Sequence, residues 1–271
     1  MTDPPPTGLA EASAGWREAL GEWAIPPAIA EAAPEAPWSY PPELFRWDPE
    51  QDEAMPLRPS RLLALDVLPV GGSVIDVGVG GGASSLGLVP PAGRITGVDE
   101  SEAMLAGFTE ATRAAGVVAH PVAGRWPDVS GEVGPADVVV CHHVLYNVAD
   151  LEPFAAALTD HARRRVVVEL TRHHPQAPLN PLWKALHGVE RPSGPTADDA
   201  LAVLTAMGLE VGRADIEVGP GRWQVRADAV AFARRRLCLT ADRDPEIAAL
   251  LHEHGGRPQR VVALWWPGGA G

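Results

Sequence analysis

One segment of the chain, residues 73–99, restricts the possible folds more than any other. It begins with a short apolar run, VIDV, continues through a cluster of glycines into the helix-compatible stretch ASSLGL, and ends in a second apolar run. That second run closes with Asp99, nineteen positions beyond Gly80. A strand, a glycine turn, a helix, a strand and an acid in this order are typical of a nucleotide-binding α/β unit.

The glycine turn also predicts what such a unit binds. Glycine takes positive φ values and lets the backbone approach a ligand where a Cβ atom would collide. The helix that follows directs its free N–H groups and its positive dipole end toward the same place. A carboxylate at the end of the second strand, here Asp99, can accept hydrogen bonds from two ribose hydroxyls. We therefore expect a nucleoside cofactor.

The sequence GVGGGA, residues 78–83, fits two nucleoside-binding patterns. It matches G-x-G-x-x-A, a form of the nicotinamide and flavin pattern, and it also matches G-x-G-x-G. Asp76 places a negative charge two positions before Gly78, which repels a pyrophosphate but suits an ammonium or sulfonium group. This charge favours the second pattern. A nicotinamide-dependent oxidoreductase stays as the alternative, although the single lysine, Lys184, belongs to no Tyr-x-x-x-Lys pair.

Beyond this unit, apolar runs and helical patterns alternate, as in parallel strands joined by helical crossovers. We expect strands at 73–77, 94–98, 117–122, 136–141, 165–170, 209–218 and 260–266. Residues 1–56 are rich in proline but also in aromatic residues, which disordered segments lack, so they predict a helical cap on a main domain of residues 57–271. Residues 172–195 are too long for an ordinary connection and are interpreted as a lid-like insertion.

The stretch from Val74 to Gly82 resembles the first motif, D-x-G-x-G-x-G, of class I S-adenosylmethionine-dependent methyltransferases, and residues 57–266 resemble the core of that family. The resemblance implies an α/β fold with a Rossmann-like, doubly wound, seven-stranded and mostly parallel sheet whose last strand is antiparallel. It implies S-adenosylmethionine as the cofactor. Residues of the first two strand ends would bind this cofactor: Asp76, Gly78, Gly80, Gly82, Asp99, Glu100 and Met104.

The loop after the third strand, Gly124–Arg125–Trp126–Pro127, departs from the family pattern. Many members present an acid to the adenine amine at this point, and the acid is missing here. Trp126 could stack on the adenine instead, or Asp128 could take the place of the acid. The resemblance therefore assigns Gly124, Arg125 and Trp126 to the cofactor, with the adenine contacts open.

The resemblance extends through ADVVVCHHVLYNVADLEPF, residues 136–154. It implies that Cys141 and His142 face the cofactor and that His143 faces the acceptor. Since a neutral imidazole accepts a proton near neutral pH, His143 is the candidate general base. The same resemblance assigns the acceptor to the loops after the fourth and fifth strands, at Tyr146, Asn147, His173 and Trp183. The implied reaction is methyl transfer to an oxygen or nitrogen atom of a small molecule, with a non-catalytic cofactor-binding relative as a further alternative.

Composition excludes several other functions. The net charge is −13 and no basic stripe interrupts it, which argues against a nucleic-acid partner. Two cysteines cannot form a disulfide framework, and neither a leader sequence nor a long apolar segment is present, so a cytoplasmic protein with no membrane partner is expected. The histidines show no metal-ligand spacing, so no metal site is expected. Nothing in the sequence predicts the oligomeric state.

Overall fold

The computed structural model describes residues 7–38, 47–48, 57–220, 227–256 and 258–270. Two aromatic residues of the expected cap, Tyr40 and Phe45, lie outside these ranges. The helices are α1 (Thr7–Gly21), α2 (Pro27–Glu31), α3 (Pro59–Val67), α4 (Ala83–Leu86), α5 (Glu102–Ala114), α6 (Leu151–His161), α7 (Asn180–His187), α8 (Ala197–Ala206), α9 (Ala229–Arg236) and α10 (Asp244–His254). The strands are β1 (Gly72–Val77), β2 (Ala92–Asp99), β3 (Val118–Ala123), β4 (Ala136–His142), β5 (Ala162–Thr171), β6 (Gly212–Val218) and β7 (Gln259–Pro267).

The described strands form one seven-stranded sheet in the order β3-β2-β1-β4-β5-β7-β6. β1 to β5 are parallel, and β7 lies antiparallel between β5 and β6. The expected sheet, including its antiparallel last strand, is confirmed. Because β1 to β5 run the same way, their carboxyl ends meet at one edge of the sheet, where doubly wound folds bind ligands.

The two faces of the sheet are covered by different helices, and alternate residues of each strand point to opposite faces. Ile75, Val139 and Val168 belong to one buried cluster, which includes residues of α1, α6 and α8. Val74, Val140 and Val167 belong to the other, which includes residues of α3, α4 and α5. Strands buried on both faces explain why the sequence shows continuous apolar runs instead of strict alternation.

Local signals fix where two of the helices begin. The Ser101 hydroxyl accepts the Met104 N–H and caps α5 as its sequence predicts. Thr196 and Asp199 form a reciprocal capping box at the start of α8. The exception is α4, which was expected over 83–88 but ends at Leu86, where Gly87 and then Pro90 and Pro91 follow. Its dipole is therefore smaller than a longer helix would supply.

A third buried cluster gathers helices that are far apart in sequence. Leu182 and Trp183 of α7, inside the 172–195 segment, pack with Ala233 of α9 and Ile247 of α10, and Ile29 of α2 lies against them. The lid-like insertion and the β6–β7 connection thus share one small core. That core was not expected, because its members come from segments whose short apolar patterns carry no signal of mutual contact.

The N-terminal helix is joined to the loop after β4. Trp16 is 1% exposed, and its indole N–H donates to the Val148 carbonyl at 2.8 Å. Further along, Trp23 stacks on His174 with 3.8 Å between ring centroids and donates to the Gly194 carbonyl. These contacts place the described part of the cap at the carboxyl edge of the sheet, beside the ends of β4 and β5.

We expect Trp16→Ala to lower the free energy of unfolding by about 3–5 kcal/mol, because it opens a large cavity in the main core. Urea denaturation followed by circular dichroism measures this. Trp16→Phe keeps most of the apolar contact and is expected to lose little more than one hydrogen bond, about 1 kcal/mol. A loss below 1 kcal/mol for the alanine variant would show that α1 is not part of the core.

Candidate functional site

The carboxyl ends of β1 and β2 bring two acids together. Asp76 lies opposite Gly97 in the parallel register, and Asp99 follows two residues later, so both carboxylates lie on the same face of the sheet. The negative charge of Asp99 also contributes to the raised pKa of Asp76, which shows that the two groups are close. The pattern of two acids around a glycine turn therefore becomes a real cluster in the fold.

The turn between them has the backbone that its glycines predict. Gly78, Gly80 and Gly82 have φ values of 73°, 52° and 88°. A Cβ atom on Gly78 would lie 2.3 Å from a methyl group of Val144, and one on Gly82 would lie 2.8 Å from a methyl group of Leu86. Close packing against the protein's own side chains therefore requires two of these glycines.

Asp99 holds the turn by its side chain. One carboxylate oxygen accepts the Gly80 N–H at 2.9 Å, and the other accepts the Ser101 N–H at 2.9 Å. A carboxylate offers about four acceptor positions, so each oxygen retains one after these bonds. The half-buried carboxylate can therefore accept the two hydroxyls of a ribose while it keeps the turn in place.

Asp76 is fully buried behind the turn. The Ser85 hydroxyl donates to Oδ2 at 2.7 Å, while Oδ1 has no hydrogen-bond partner among the described residues. Burial, with the charge of Asp99 adding to it, raises the pKa of Asp76 to about 7 against the opposing effect of the Ser85 bond. An unpartnered buried carboxylate oxygen suits a cationic group nearby, because a positive charge would favour the ionised form.

The loops after β2, β3 and β4 contact one another beside Asp99. Glu100 is exposed and Met104 half-buried, and the Gly124 N–H donates to the Asp99 carbonyl at 3.0 Å. The Arg125 guanidinium lies 3.5 Å from the carbonyl of Asn147. Glu100 and Gly124 thus adjoin Asp99, and whether these residues contact a cofactor stays a prediction.

The structure does not support the expected stacking of Trp126 on the adenine. Trp126 is 4% exposed and belongs to the main core. Its ring and the His161 ring form a T-shaped pair with 4.9 Å between their centroids. A ring enclosed in this way cannot also stack on an adenine. Asp128 is exposed in the same loop and remains available for a polar contact.

At the end of β4, the consecutive side chains of Cys141, His142 and His143 lie in three different environments. The Cys141 thiol is fully buried in the main core, which raises its pKa, so only its backbone could touch a ligand. His142 lies on the opposite face with Nε2 unpartnered among the described residues, and burial lowers its pKa to about 4 although the Glu169 carboxylate opposes this. His143 has a φ of 60° and a side chain that is 44% exposed.

Two further acceptor residues are also corrected. The Tyr146 hydroxyl donates to the carbonyls of Thr171 and Arg172, and its ring packs on Trp16, so its polar group is already used by the fold. Trp183 is 3% exposed in the third cluster. Both are core residues: Tyr146 belongs to the main cluster, and Trp183 of α7 belongs to the third cluster. Asn147 and His173 are exposed, and their contact with an acceptor stays a prediction.

Sequence reasoning missed one buried carboxylate. Glu169, near the end of β5, is 1% exposed and accepts hydrogen bonds from Arg58 and from the Ser60 hydroxyl. Its Oε1 also lies 3.2 Å from Nε2 of His143. A lone acid inside the apolar run VVVELT was the available signal, since buried acids need partners.

No group of three or more metal-ligating side chains occurs within the described ranges. The neighbouring histidines do not converge, because His174 is stacked on Trp23 while His143 bonds to Glu169. Among the helices that the structure describes, none has the length and apolar character needed to cross a bilayer.

Comparison with known proteins identifies the domain. Residues 74–167 match the profile of a family described as "Methyltransferase domain", and no curated protein matches the chain. Solved structures with a similar fold include the YcgJ protein of Bacillus subtilis, with a TM-score of 0.53 and 14% identity over 78% of this chain and 99% of that one. A candidate sarcosine dimethylglycine methyltransferase from Galdieria sulphuraria gives a TM-score of 0.54 and 12% identity over 94% and 98%.

A protein of echinomycin biosynthesis, where a disulfide bond is converted into a thioacetal group, gives a TM-score of 0.52 and 16% identity over 90% of this chain and 91% of that one. At these identities the similarity shows the fold alone, and the matched segment contains β1, the glycine turn and both acids. Residues 74–167 therefore match a methyltransferase domain, and the seven-stranded sheet has the Rossmann-like fold of methyltransferases.

Proposed function

We propose that this protein transfers a methyl group from S-adenosylmethionine to an oxygen or nitrogen atom of a small-molecule acceptor. The observation that carries the proposal is the pair of acids, Asp76 and Asp99, on one face of the sheet at either side of the glycine turn. A sulfonium nucleoside offers what this pair suits, a ribose with two hydroxyls and a positively charged end.

The residues around the turn would hold the cofactor in separate parts. Asp99 would accept the ribose hydroxyls, and Glu100, Met104 and Gly124 would lie beside the adenine. The negative charge of Asp76 would favour the cationic end. When bound, S-adenosylmethionine supplies a methyl group that is already strongly electrophilic, so positioning the acceptor and excluding water can provide most of the catalysis.

The acceptor would lie at the ends of β4 and β5. His143, Asn147 and His173 present exposed polar groups there, while Trp16 and Trp23 hold helical segments against the same loops. In this proposal His143 takes the proton from the acceptor hydroxyl or amine, and the cap keeps water away. The net charge of −13 supports a small molecule over a nucleic acid as the acceptor.

We expect S-adenosylhomocysteine to stabilise the protein and NADH to leave its melting temperature unchanged. A ligand at one hundred times its dissociation constant adds about 2.7 kcal/mol to the free energy of unfolding. Differential scanning fluorimetry with both compounds measures this. Stabilisation by NADH alone would support the nicotinamide-dependent oxidoreductase instead.

The matched variant for this test is Asp99→Asn. Its loss of a charge-assisted hydrogen bond to ribose should weaken S-adenosylhomocysteine binding about tenfold, equivalent to about 1.4 kcal/mol, in calorimetry. Asp66→Asn serves as the control, because Asp66 is exposed on α3 and pairs with Arg165 near the opposite end of β5. Equal affinity of the Asp99 variant and the control would remove Asp99 from the site.

Asp76 should make the stability of the cofactor-free protein depend on pH. Its pKa is raised in the folded state, so the folded protein binds more protons than the unfolded chain between pH 3.8 and about 7. The free energy of unfolding should therefore fall, by roughly 2–4 kcal/mol, as the pH rises through that window, and Asp76→Asn should abolish this fall.

Asp137→Asn is the control in denaturation experiments at several pH values, because Asp137 should change the free energy of unfolding with pH in the opposite direction. Hydrogen bonds from Ser73 and the charge of Arg164 outweigh burial and lower the pKa of Asp137, so its stabilisation is lost as the pH falls. If wild type and Asp76→Asn show parallel stability curves from pH 4 to pH 8, Asp76 does not titrate as proposed.

We expect His143→Asn to reduce methyl transfer about a hundredfold while it leaves S-adenosylhomocysteine affinity unchanged, because it removes the base but asparagine tolerates positive φ. The assay follows tritium from labelled S-adenosylmethionine into a metabolite fraction below about 1 kDa, with total RNA as the alternative acceptor. His120→Asn, on the exposed side of β3, is the control. Full activity of the His143 variant would exclude it as the base, and labelled RNA would contradict the small-molecule acceptor.

A further inference from the structure

The carboxylate of Glu169 has a position that the proposed function has not used. It lies opposite His142 in the parallel register of β4 and β5, at the carboxyl edge of the sheet. Its side chain is 1% exposed, and three neighbours contact it: Arg58, the Ser60 hydroxyl and Nε2 of His143. Burying a carboxylate is unfavourable unless such partners compensate for the lost water.

Glu169 holds His143 at two points. The backbone N–H of His143 donates to the Glu169 carbonyl, at 2.6 Å, and Nε2 lies 3.2 Å from the Glu169 carboxylate. Between these two contacts His143 adopts a φ of 60°, a conformation that residues other than glycine take rarely and at some cost in energy. Such a conformation persists only where the surroundings support it, and both of these contacts come from one residue of the neighbouring strand.

We propose that Glu169 is the positioning residue of His143: it accepts the Nε2–H and so leaves Nδ1 as the nitrogen that takes the acceptor proton. This inference rests on the proposed function. In the part of the chain that the structure describes, Nδ1 of His143 has no hydrogen-bond partner, and the side chain is 44% exposed. The acceptor O–H or N–H bond would break and its proton would pass to Nδ1 of His143, while the acceptor's electron pair would form the bond to the methyl carbon. The bond from that carbon to sulfur would break with its electron pair left on sulfur, so that neutral S-adenosylhomocysteine would be the leaving group.

The charges around the imidazole support this role. Burial alone would raise the pKa of Glu169, but the hydrogen bond from His143 and the nearby positive charges, of which Arg58 is the permanent one, hold it well below its usual range. Glu169 is therefore ionised and can stabilise the imidazolium that forms at His143. Among the described residues, His142 of β4 is a further titratable group that acts on Glu169, and burial lowers its pKa to about 4, so it is neutral at pH 7.

A purely structural role is the competing explanation, since Glu169 also ties the start of α3 to β5 through Arg58 and Ser60. The chain offers a matched control for it. Arg165 ties the same helix to the same strand at the other end, through the Leu63 carbonyl at 2.8 Å and Asp66 at 3.0 Å. Arg165→Gln loosens α3 without contacting His143.

The first test needs neither cofactor nor activity. In ¹⁵N-histidine-labelled wild type, long-range ¹H–¹⁵N correlation spectra report the tautomer of each neutral imidazole, and His143→Asn assigns the signal. We expect hydrogen on Nε2 of His143. Hydrogen on Nδ1 would overturn the inference whatever the enzyme does. In Glu169→Gln the tautomer with hydrogen on Nδ1 should gain population, because the ionised carboxylate that favours hydrogen on Nε2 is gone, and an unchanged tautomer ratio would also overturn the inference.

The second test uses the initial rate of labelled methyl transfer to the metabolite fraction. Glu169→Gln should lower the rate at least about tenfold, move the acidic limb of its pH profile to lower pH, and keep S-adenosylhomocysteine affinity within about twofold. Arg165→Gln should do none of these. If Arg165→Gln reproduces the loss, the effect comes from docking of α3 and the inference fails.

A double-variant cycle separates action through His143 from any other action. In the His143→Asn background, Glu169→Gln should cause no further loss of rate, because the group that it positions is already gone. An additional loss of equal size would assign Glu169 a different role. Should Glu169→Gln fail to fold, Glu169→Asp keeps the charge while retracting it from Nε2, and it should show the same rate loss and tautomer change in milder form.

These results also separate the inference from the proposed function. Absence of S-adenosylhomocysteine binding or of any labelled product would refute the proposed function. The tautomer of His143 in wild type and in Glu169→Gln would still decide whether Glu169 holds the imidazole, because it is measured on the cofactor-free chain.

Discussion

The carboxylate of Asp99 accepts the backbone N–H groups of Gly80 and Ser101, and the organisation of the site depends on this double contact. One bond fixes the glycine turn after β1, and the other fixes the start of α5 after β2. A single side chain therefore ties two crossovers together at the edge where ligands bind in doubly wound sheets. Because each oxygen keeps one acceptor position, the group that shapes the turn can also meet a ribose.

Much of this fold can be predicted from the sequence, because its signals are local. The apolar runs give the strands within a few residues, Ser101 gives a helix start, and the glycines give positive φ. The resemblance supplied the antiparallel β7, which no local pattern encodes. The sequence does not predict which residues of different strands contact each other. Glu169 appears as an isolated acid in the sequence, and the register of β4 and β5 brings it to His143.

The sequence also could not predict which aromatic residues of the loops are buried in the core. Trp126 and Tyr146 lie in loops where a ring can either contact a ligand or fill the core, and their identity alone does not distinguish the two. Their neighbours distinguish the two roles: His161 packs against the Trp126 ring, and the carbonyls of Thr171, at the end of β5, and of Arg172 accept the Tyr146 hydroxyl. The side chains exposed in these loops, such as Asn147 and His173, are therefore smaller and more polar than the aromatic residues that the sequence suggested.

The hydrogen bond from Trp16 to the Val148 carbonyl joins residues 132 positions apart. Closing so long a loop has a large entropic cost, and contacts of this span form late in the folding of a domain. The strand pairs β1–β2 and β2–β3, beside the glycine turn, form between residues near in sequence, whereas the loop after β4 needs α1 to return to it. We therefore expect the nascent chain to form the strands around the glycine turn before α1 packs against the loop after β4.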